Sequence, residues 1–565
     1  MKRALLYSLF CLAGCAGEPT APPKTPGPAP LPPAVPTAKN EPAARAPDRR
    51  ALPAPPSTPS FALPKPSIFS LKNGIKVYFV EQGPTPLVSV TLVIPRGGAS
   101  DPKGKAGTTA LMADLLDEGA GGRDALSISE EFQRLGTDYG ASADVDNVML
   151  AMNTIAESFE SSVKLLADIV ERPAFDPKEF KRRKEQRIAD ALASESEPAS
   201  ARAVVLRKAL FADGYAAELA SGTRATLGRI QIGDVKSQYQ GLLVPEGAAF
   251  VVVGGIGKEP VRDALEQHFG QWAGKASVKL PVPSAKPVDK AVFFVDFPGA
   301  TQTAMAIARR APGEGTDEYF PAQVMSRVFG EAFTSRLNLN LREAKGYTYG
   351  AGSSFRRFQA VGFFGLSANV KREVTRESVD ESLRELGALC GERPITAKER
   401  DEAVGGLLLG FPARFERGGD VAMQLANLPL YGRPDDWLEK WSERVKAVST
   451  EQANALAKGY CKADEYVIVL AGDGNVVVPT LEGLERKVSF FDAQGNPTGA
   501  PKPAKKPAAA ADGAKAPPPA GAKVPAGAKA PPAGGKAPGA KATAPPAGAK
   551  TPPAGAKAPA VGKTK

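Results

Sequence analysis

The chain has 565 residues, enough for more than one domain with a sizeable core. Its formal net charge of +11 is carried by residues 501–565, which hold 12 Lys, one Asp and neither Arg nor Glu. The other 500 residues are neutral in sum, so the composition argues against a broad nucleic-acid-binding surface on the folded part.

Two proline-rich flanks frame that folded part. Residues 16–66 contain 17 prolines and residues 501–565 contain 15. Such segments bury too little apolar surface to fold. We therefore predict a signal peptide (1–14), a disordered Pro/Ala-rich linker (15–66), a first domain (67–280), a second domain (281–496) and a disordered Lys/Pro/Ala/Gly-rich tail (497–565). Loose attachment of the tail to an anionic surface and simple solubilisation are both open.

The N-terminus predicts export. Lys2 and Arg3 precede an apolar run, residues 4–13, that is too short to span a bilayer as a helix. Leu12-Ala13-Gly14-Cys15 resembles a bacterial lipobox, in which Cys15 is acylated, and Ala16 resembles the sorting signal for the outer membrane. We expect a lipid-anchored envelope protein that faces the periplasm, with an ordinary secretory signal as the alternative.

The first half of the body alternates strands and helices. Two alternating runs flank Asn73-Gly74, which predicts a hairpin, and Leu111, Met112 and Leu115 form one stripe of a helix over 107–116. The same criteria predict the remaining elements. These are strands at 86–98, 137–144, 147–155 and 249–256 and helices at 128–135, 159–170, 176–192 and 261–272.

The second half repeats this order. LGTDYGASADVDNVMLAMNT in the first half corresponds to KGYTYGAGSSFRRFQAVGFFGLSAN in the second. The repeat predicts an α+β fold with two homologous α/β-sandwich halves, each a sheet covered by helices, that form a clamshell around a groove. Its predicted strands are 291–297, 303–309, 347–355, 361–370 and 465–472, and its helices are 319–329, 335–345, 379–389 and 397–410.

One segment of the second half is distinctive: SRLNLNLREAKGYTYGAGSSF, residues 335–355. Its helix should end at Gly346, which places Arg342 in the last turns and Tyr349 on the next strand, within reach of one cleft. The segment resembles the arginine–tyrosine segment of pitrilysin/insulinase-type zinc peptidases, and the resemblance extends over residues 69–474. It implies that Arg342 and Tyr349 bind substrate. Without this resemblance, the preferred interpretation would be that Arg342 makes a salt bridge at the helix end and that Tyr349 packs against its neighbours.

In that family the first half carries an H-x-x-E-H zinc motif, preceded by Gly three residues before the first His. The matching stretch here is Gly107 to Asp114. Ala110 replaces the first His, Ala113 replaces the general-base Glu, and Asp114 replaces the second His.

The more distant Glu ligand of the family falls on or next to Asp190. Zinc hydrolases need three protein ligands and an open position for water. Alanine has no lone pair, and the single His of the chain, His268, lies outside the motif. We therefore predict no catalytic residue, no metal and no cofactor. Asp114 and Asp190 together would make at most a weak site for a hard cation.

Two cysteines remain in the mature body, Cys390 and Cys461. An oxidising periplasm would permit them to pair. The sequence does not show that they meet, so a disulfide and two separate thiols are both open.

Some bacterial members of the family work as two chains, one with zinc and the other with the Arg–Tyr pair. This chain resembles the second type. We expect a catalytically inactive, lipid-anchored subunit that completes the chamber of a zinc-bearing partner and binds unfolded peptides. The alternative is a stand-alone peptide-binding or scaffold lipoprotein without a proteolytic role. A neighbouring gene encoding an H-x-x-E-H chain would favour the first reading.

Overall fold

The computed structural model describes residues 61–284 and 290–501. The predicted signal peptide, Cys15, most of the linker and most of the Lys-rich tail lie outside the described residues. Within the described ranges, every helix is too short or too polar to cross a membrane.

The first sheet has six strands in the order β1-β2-β6-β3-β5-β4. Only β2 and β6 pair in parallel, and the other neighbours are antiparallel. Gly74 in the predicted β1–β2 turn has a φ of +88°, which glycine adopts without steric cost. The strands are β1 (Ser67–Ser70), β2 (Lys76–Glu81), β3 (Leu87–Ile94), β4 (Asp138–Ala143), β5 (Val148–Ile155) and β6 (Ala249–Gly254).

The second sheet has seven strands in the order β13-β12-β7-β11-β8-β10-β9. They are β7 (Ala291–Asp296), β8 (Gln302–Ala311), β9 (Thr348–Arg357), β10 (Gly362–Lys371), β11 (Val467–Gly472), β12 (Lys487–Phe491) and β13 (Pro497–Thr498). Strands β7, β11, β8, β10 and β9 repeat the order and directions of β2, β6, β3, β5 and β4. The predicted α+β fold of two similar halves is therefore confirmed.

Helices surround both sheets. Those of the first half are α1 (Thr108–Asp114), α2 (Ala125–Arg134), α3 (Phe159–Glu171), α4 (Pro177–Glu195), α5 (Pro198–Phe211), α6 (Arg224–Arg229), α7 (Ile232–Leu242) and α8 (Lys258–Phe269). Those of the second half are α9 (Tyr319–Ser326), α10 (Thr375–Ala388), α11 (Ala397–Gly410), α12 (Gly418–Leu430), α13 (Trp437–Ala447), α14 (Thr450–Tyr460) and α15 (Gly474–Val477).

The segment predicted as a helix over 335–345 is largely π-helical, over Asn338–Ala344. A second π-helical segment, Arg327–Glu331, extends α9. Gly346 has a φ of +63° and ends the helical segment where the sequence predicted.

The central strands β6 and β11 are buried on both faces of their sheets. Each half supplies one helix that covers a face of the other half's sheet. In β6, Phe250 and Val252 face the helices of their own half, whereas Val251 and Val253 face the core of the second half. Helix α12 of the second half packs on β3 and β6. In return α5 of the first half packs on β8 and β11. Both sheets consequently belong to one compact unit.

The sequence did not predict the exchanged helices. The buried side chains of α5 include Val205, Leu206, Leu210 and Phe211, which are spread around its axis, so it lacks a single apolar stripe. Helix α12 begins with Gly418-Gly419 and contains Pro429, residues that disfavour helix interiors. Packing between two layers overrides these local signals.

Cys390, just beyond α10, and Cys461, just beyond α14, form a disulfide. Their Cα atoms are 5.9 Å apart, within the range that disulfides span. The bridge closes a loop between residues 71 positions apart that contains α11 to α14. The structure thus settles the pairing that the sequence left open.

We expect replacement of both Cys390 and Cys461 by Ser to lower the free energy of unfolding by about 4 kcal/mol, because a long closed loop restricts the unfolded chain. Chemical denaturation with and without dithiothreitol measures this. The reductant should destabilise the wild-type protein by the same amount and leave the double-Ser variant unchanged. Equal stability of wild type and variant under oxidising conditions would contradict the pairing.

Candidate functional site

Helix α1 carries the positions aligned with the metal motif, and Asp101 fixes its start. The Asp101 carboxylate accepts hydrogen bonds from the N–H groups of Gly107, Thr108 and Thr109 at 2.7, 3.1 and 2.8 Å. Burial raises the pKa of this carboxyl to about 6, while these hydrogen bonds act in the opposite direction. Gly107 has a φ of +98°, and a Cβ there would lie 2.7 Å from Leu227 Cδ2, so the helix start requires glycine.

Ala110 and Ala113 are both buried in α1, within the core of the first half or at its edge. These are the two positions that the sequence analysis aligned with the first His and the general base of the zinc motif, and both carry only a methyl group. Asp114, the last residue of α1, is half-buried and is the one position of this motif that retains a donor atom.

Arg187 of α4 holds that carboxylate. Its Nε and Nη2 donate to the two oxygens of Asp114, and the Nη2–Oδ1 distance is 2.8 Å. Nη2 also donates to the carbonyl oxygen of Ala110 at 3.1 Å. A bidentate guanidinium therefore binds the acidic end of α1 and one of its backbone carbonyls.

A cavity of about 430 Å³ opens beside this ion pair. Both Asp114 and Asp190 belong to its lining. Its lining comes from α1, α4, α5, the segment 219–223 and one residue of the β12–β13 turn: Asp114, Arg183, Gln186, Arg187, Asp190, Ala191, Ser194, Glu195, Ser200, Ala201, Ala203, Val204, Leu219, Ser221, Gly222, Thr223 and Ala493.

The sequence reading missed Arg187. A signal existed, because Arg183 and Arg187 are four residues apart and share one face of α4, near Asp190. The sequence does not show that this face of α4 packs against α1. Arg183 in turn contacts the buried carboxylate of Glu118, so the two arginines act as counter-ions for acidic groups at the last residue of α1 and in the loop that follows it.

These residues do not fit zinc. Two of the four positions aligned with ligands or base carry methyl groups, and the Asp114 carboxylate already has a guanidinium partner. Across residues 61–284 and 290–501, no three His, Cys, Asp or Glu side chains are grouped to hold a metal ion. The chemistry of a metal-activated water cannot be derived from this site.

The second candidate site lies on the π-helical segment and β9. The Arg342 guanidinium is 4.1 Å from the centre of the Phe333 ring, and Phe333 is itself 68% exposed. The Arg342 Nε atom is 3.5 Å from Glu343 Oε1. Tyr349 is 91% exposed. Tyr349 is thus exposed and Arg342 is half-buried on the neighbouring element, and neither lines the cavity at α1.

No hydrogen bond or ring contact joins Arg342 to Tyr349 in the described part of the chain. Their common role toward a substrate therefore stays a prediction. Phe333, which the sequence reading did not single out, is an aromatic support that leaves the edges of the Arg342 guanidinium available for hydrogen bonding.

Two family models match consecutive parts of the chain, and the boundary between them lies within the first half. Residues 76–226 match the family described as Insulinase (Peptidase family M16), and residues 229–407 match the Peptidase M16 inactive domain. The chain belongs to peptidase family M16. The predicted resemblance to pitrilysin/insulinase-type peptidases is confirmed, and the M16 chain carries an inactive domain of that family.

Relatives of this M16 chain include proteins with and without a peptidase name. The "Uncharacterized zinc protease YmxG" of Bacillus subtilis is 21% identical over 423 residues, covering 72% of this chain and 98% of the relative. The "Non-peptidase homolog YmxG" of Helicobacter pylori is 20% identical over 406 residues, covering 71% and 92%. A crystal structure of a peptidase M16 inactive domain from Pseudomonas fluorescens has a TM-score of 0.67 at 24% identity, covering 72% and 98%, which shows the same fold.

We expect Arg187→Met to lower the free energy of unfolding of this M16 chain by roughly 1–3 kcal/mol, because it leaves the Asp114 carboxylate and the Ala110 carbonyl without their donor. Adding Asp114→Asn should recover part of the loss in a double-mutant cycle measured by denaturation.

Lys181→Met is the matched control for Arg187→Met. Lys181 lies on the same helix and only approaches Glu185 at 4.0 Å in an exposed pair, so its loss should change stability by less than about 0.5 kcal/mol. Equal effects of the two substitutions would contradict the role given to Arg187.

Proposed function

We propose that this M16 chain is a non-catalytic, lipid-anchored subunit that completes the substrate chamber of a zinc-bearing M16 partner and binds unfolded peptides. The observation that carries the proposal is the contrast between its two halves. The first half has methyl groups and an Arg187–Asp114 ion pair at its metal motif. The second half keeps an accessible arginine and tyrosine at the positions that bind substrate in related peptidases.

The chemistry of the second half suits a peptide. A guanidinium presents fixed donors to carbonyl oxygens, and a tyrosine hydroxyl can stabilise negative charge that develops on a carbonyl under attack. Neither group generates a nucleophile, so hydrolysis requires a partner that carries the metal and the base. Exposure of Tyr349 and Phe333 is consistent with a surface that is covered when substrate or partner binds.

The proposed location in the bacterial envelope rests on the N-terminal sequence. Acylation of Cys15 would tie the chain to a membrane, and the Pro/Ala-rich linker would separate the body from the lipid. The Cys390–Cys461 disulfide is consistent with an oxidising compartment such as the periplasm.

The isolated protein should hold no stoichiometric zinc and should not cleave unstructured peptides, because Ala110 and Ala113 remove a ligand and the base. Elemental analysis of protein purified without chelators, with a zinc-bearing M16 peptidase in parallel, measures the metal. One tightly held zinc ion per chain would overturn the assignment.

Cys15→Ser should move the full-length protein from the membrane fraction to the soluble fraction, since acyl chains would be its main attachment. Fractionation of cells expressing the two forms, followed by a salt wash, tests this. Complete retention of the Ser variant on membranes would contradict lipidation at Cys15.

Tyr349→Phe should lower peptide turnover by the mixture with the zinc-bearing partner on the order of a hundredfold, as loss of an oxyanion donor does. It should leave stability within about 0.5 kcal/mol of wild type, because the side chain is exposed. Arg342→Ala should also lower turnover. The measurement is hydrolysis of an unstructured peptide by the mixed chains.

Tyr347→Phe provides the matched control, since it removes one hydroxyl two residues away from a half-buried tyrosine. It should support wild-type turnover. If the partner alone is fully active, or Tyr349→Phe supports wild-type rates, the chain does not complete the partner's site. Peptide binding without any effect on turnover would instead favour the scaffold function.

A further inference from the structure

The two halves carry the same sequence pattern around one tyrosine but present it in opposite ways. Gly136-Thr137-Asp138-Tyr139-Gly140-Ala141 in the first half corresponds to Gly346-Tyr347-Thr348-Tyr349-Gly350-Ala351 in the second. Gly136 and Gly346 end the preceding helical segments with φ values of +62° and +63°. The first half therefore serves as an internal reference for the second.

In the first half, the tyrosine points inward. Tyr139 lies opposite Met152 in a regular register between β4 and β5. Its ring stacks on Phe132 at a centroid distance of 5.3 Å, and its hydroxyl is buried. By the alternation of a strand, Tyr139, Ala141 and Ala143 share the inward face.

In the second half, a β-bulge breaks that alternation. Ala351 pairs with Ala368 and Thr348 pairs with Val370, so Tyr349 and Gly350 together oppose the single residue Asn369. Ala351 and Ser353 still face inward and are buried, but Tyr349 is 91% exposed. Bulges re-aim side chains in this manner because the extra residue shifts the pleat.

Two polar side chains hold the bulge. The Thr348 hydroxyl donates to the carbonyl oxygen of Asn369 at 2.7 Å and is 3.1 Å from the N–H of Gly350, which donates to it. The N–H of Ala351 donates to Asn338 Oδ1 at 2.9 Å. Asn338 is buried at the start of the π-helical segment that carries Arg342, and its Nδ2 donates to the Ala332 carbonyl at 3.2 Å.

The first half lacks both groups. The residue aligned with Asn338 is Ile128, which is buried in an apolar core, and the residue aligned with Thr348 is Asp138. No side-chain acceptor is therefore available at the Ile128 position to capture a backbone N–H of β4. The bulge appears in the half that has Asn338 and Thr348, whereas the described register is regular in the half that has Ile128 and Asp138 at these positions.

We propose that Asn338 and Thr348 are positioning residues that hold the bulge and thereby turn Tyr349 from the core toward the substrate side. Asn338 also ties the π-helical segment to β9, so it links the element of Arg342 to the strand of Tyr349. The consequence for substrate rests on the proposed function, whereas the outward orientation of Tyr349 can be tested without any partner.

The first test is nitration of the purified chain with tetranitromethane, followed by mass spectrometry of the tryptic peptide 346–356. This peptide also contains the half-buried Tyr347 as an internal reference. Asn338→Ile, which installs the residue of the first half, and Thr348→Val should each slow nitration of Tyr349 by about tenfold, because loss of an acceptor for a backbone N–H disfavours the bulge.

Matched variants separate this effect from general damage. Thr348→Ser keeps the hydroxyl, so it should leave nitration of Tyr349 at the wild-type rate. Thr348→Val alters a partly exposed position and keeps the branched shape, so it remains informative even if Asn338→Ile does not fold. Wild-type nitration of Tyr349 in Thr348→Val and in any folded Asn338→Ile would overturn the proposal.

The second test is peptide turnover with the zinc-bearing partner. Thr348→Val should lower kcat with little change in KM, Thr348→Ser should restore it, and adding Thr348→Val to Tyr349→Phe should cause no further loss. If the losses of kcat caused by Thr348→Val and by Tyr349→Phe were additive in the double variant, Thr348 would not act by positioning Tyr349. If Tyr349→Phe itself leaves turnover unchanged, the proposed function fails, while the nitration result still decides whether the two residues orient Tyr349.

Discussion

The exchange of helices between the halves is the constraint on which the rest of the structure depends. Both sheets have two apolar faces, and each half covers only one face of its own sheet. Helix α12 covers the other face of the first sheet, and α5 covers that of the second. Separating the halves would expose both faces to water, which is strongly unfavourable for surfaces of this size.

This exchange also reaches the candidate sites. Ser200, Ala201 and Val204 of α5 line the cavity beside the Arg187–Asp114 ion pair, while other side chains of the same helix pack on the second sheet. The helix that forms part of the cavity wall is thus also packed against the second sheet. A rigid scaffold of this kind places functional side chains on its elements with little freedom to rearrange.

The two halves carry different residues at the two candidate sites. In the first half, Ala110 and Ala113 keep α1 packed, and Arg187 supplies the positive charge that Asp114 requires. Phe132 and Tyr139 of the first half align with Arg342 and Tyr349 of the second. The two rings stack in the first half, whereas in the second half Tyr349 is exposed and Arg342 is half-buried. At these aligned positions the first half therefore has two stacked rings, whereas the second half has an arginine and an exposed tyrosine.

The sequence by itself determined the features that depend on neighbouring residues. The Asn73-Gly74 turn, the bounds of α11, the stop at Gly346 and the repeated strand order follow from turn residues and periodicity. The absence of the family's ligands at Ala110 and Ala113 is also read directly from residue identity.

Only the tertiary structure decided the features that join distant residues. Helices α5 and α12 lack a clear periodic signal because they are buried between layers. The Cys390–Cys461 disulfide and the Arg187–Asp114 pair each join residues more than 70 positions apart. The bulge at Tyr349 depends on Asn338 and on the register with β10. Local patterns carry no information about which surfaces meet, because that choice is made by the packing of the whole core.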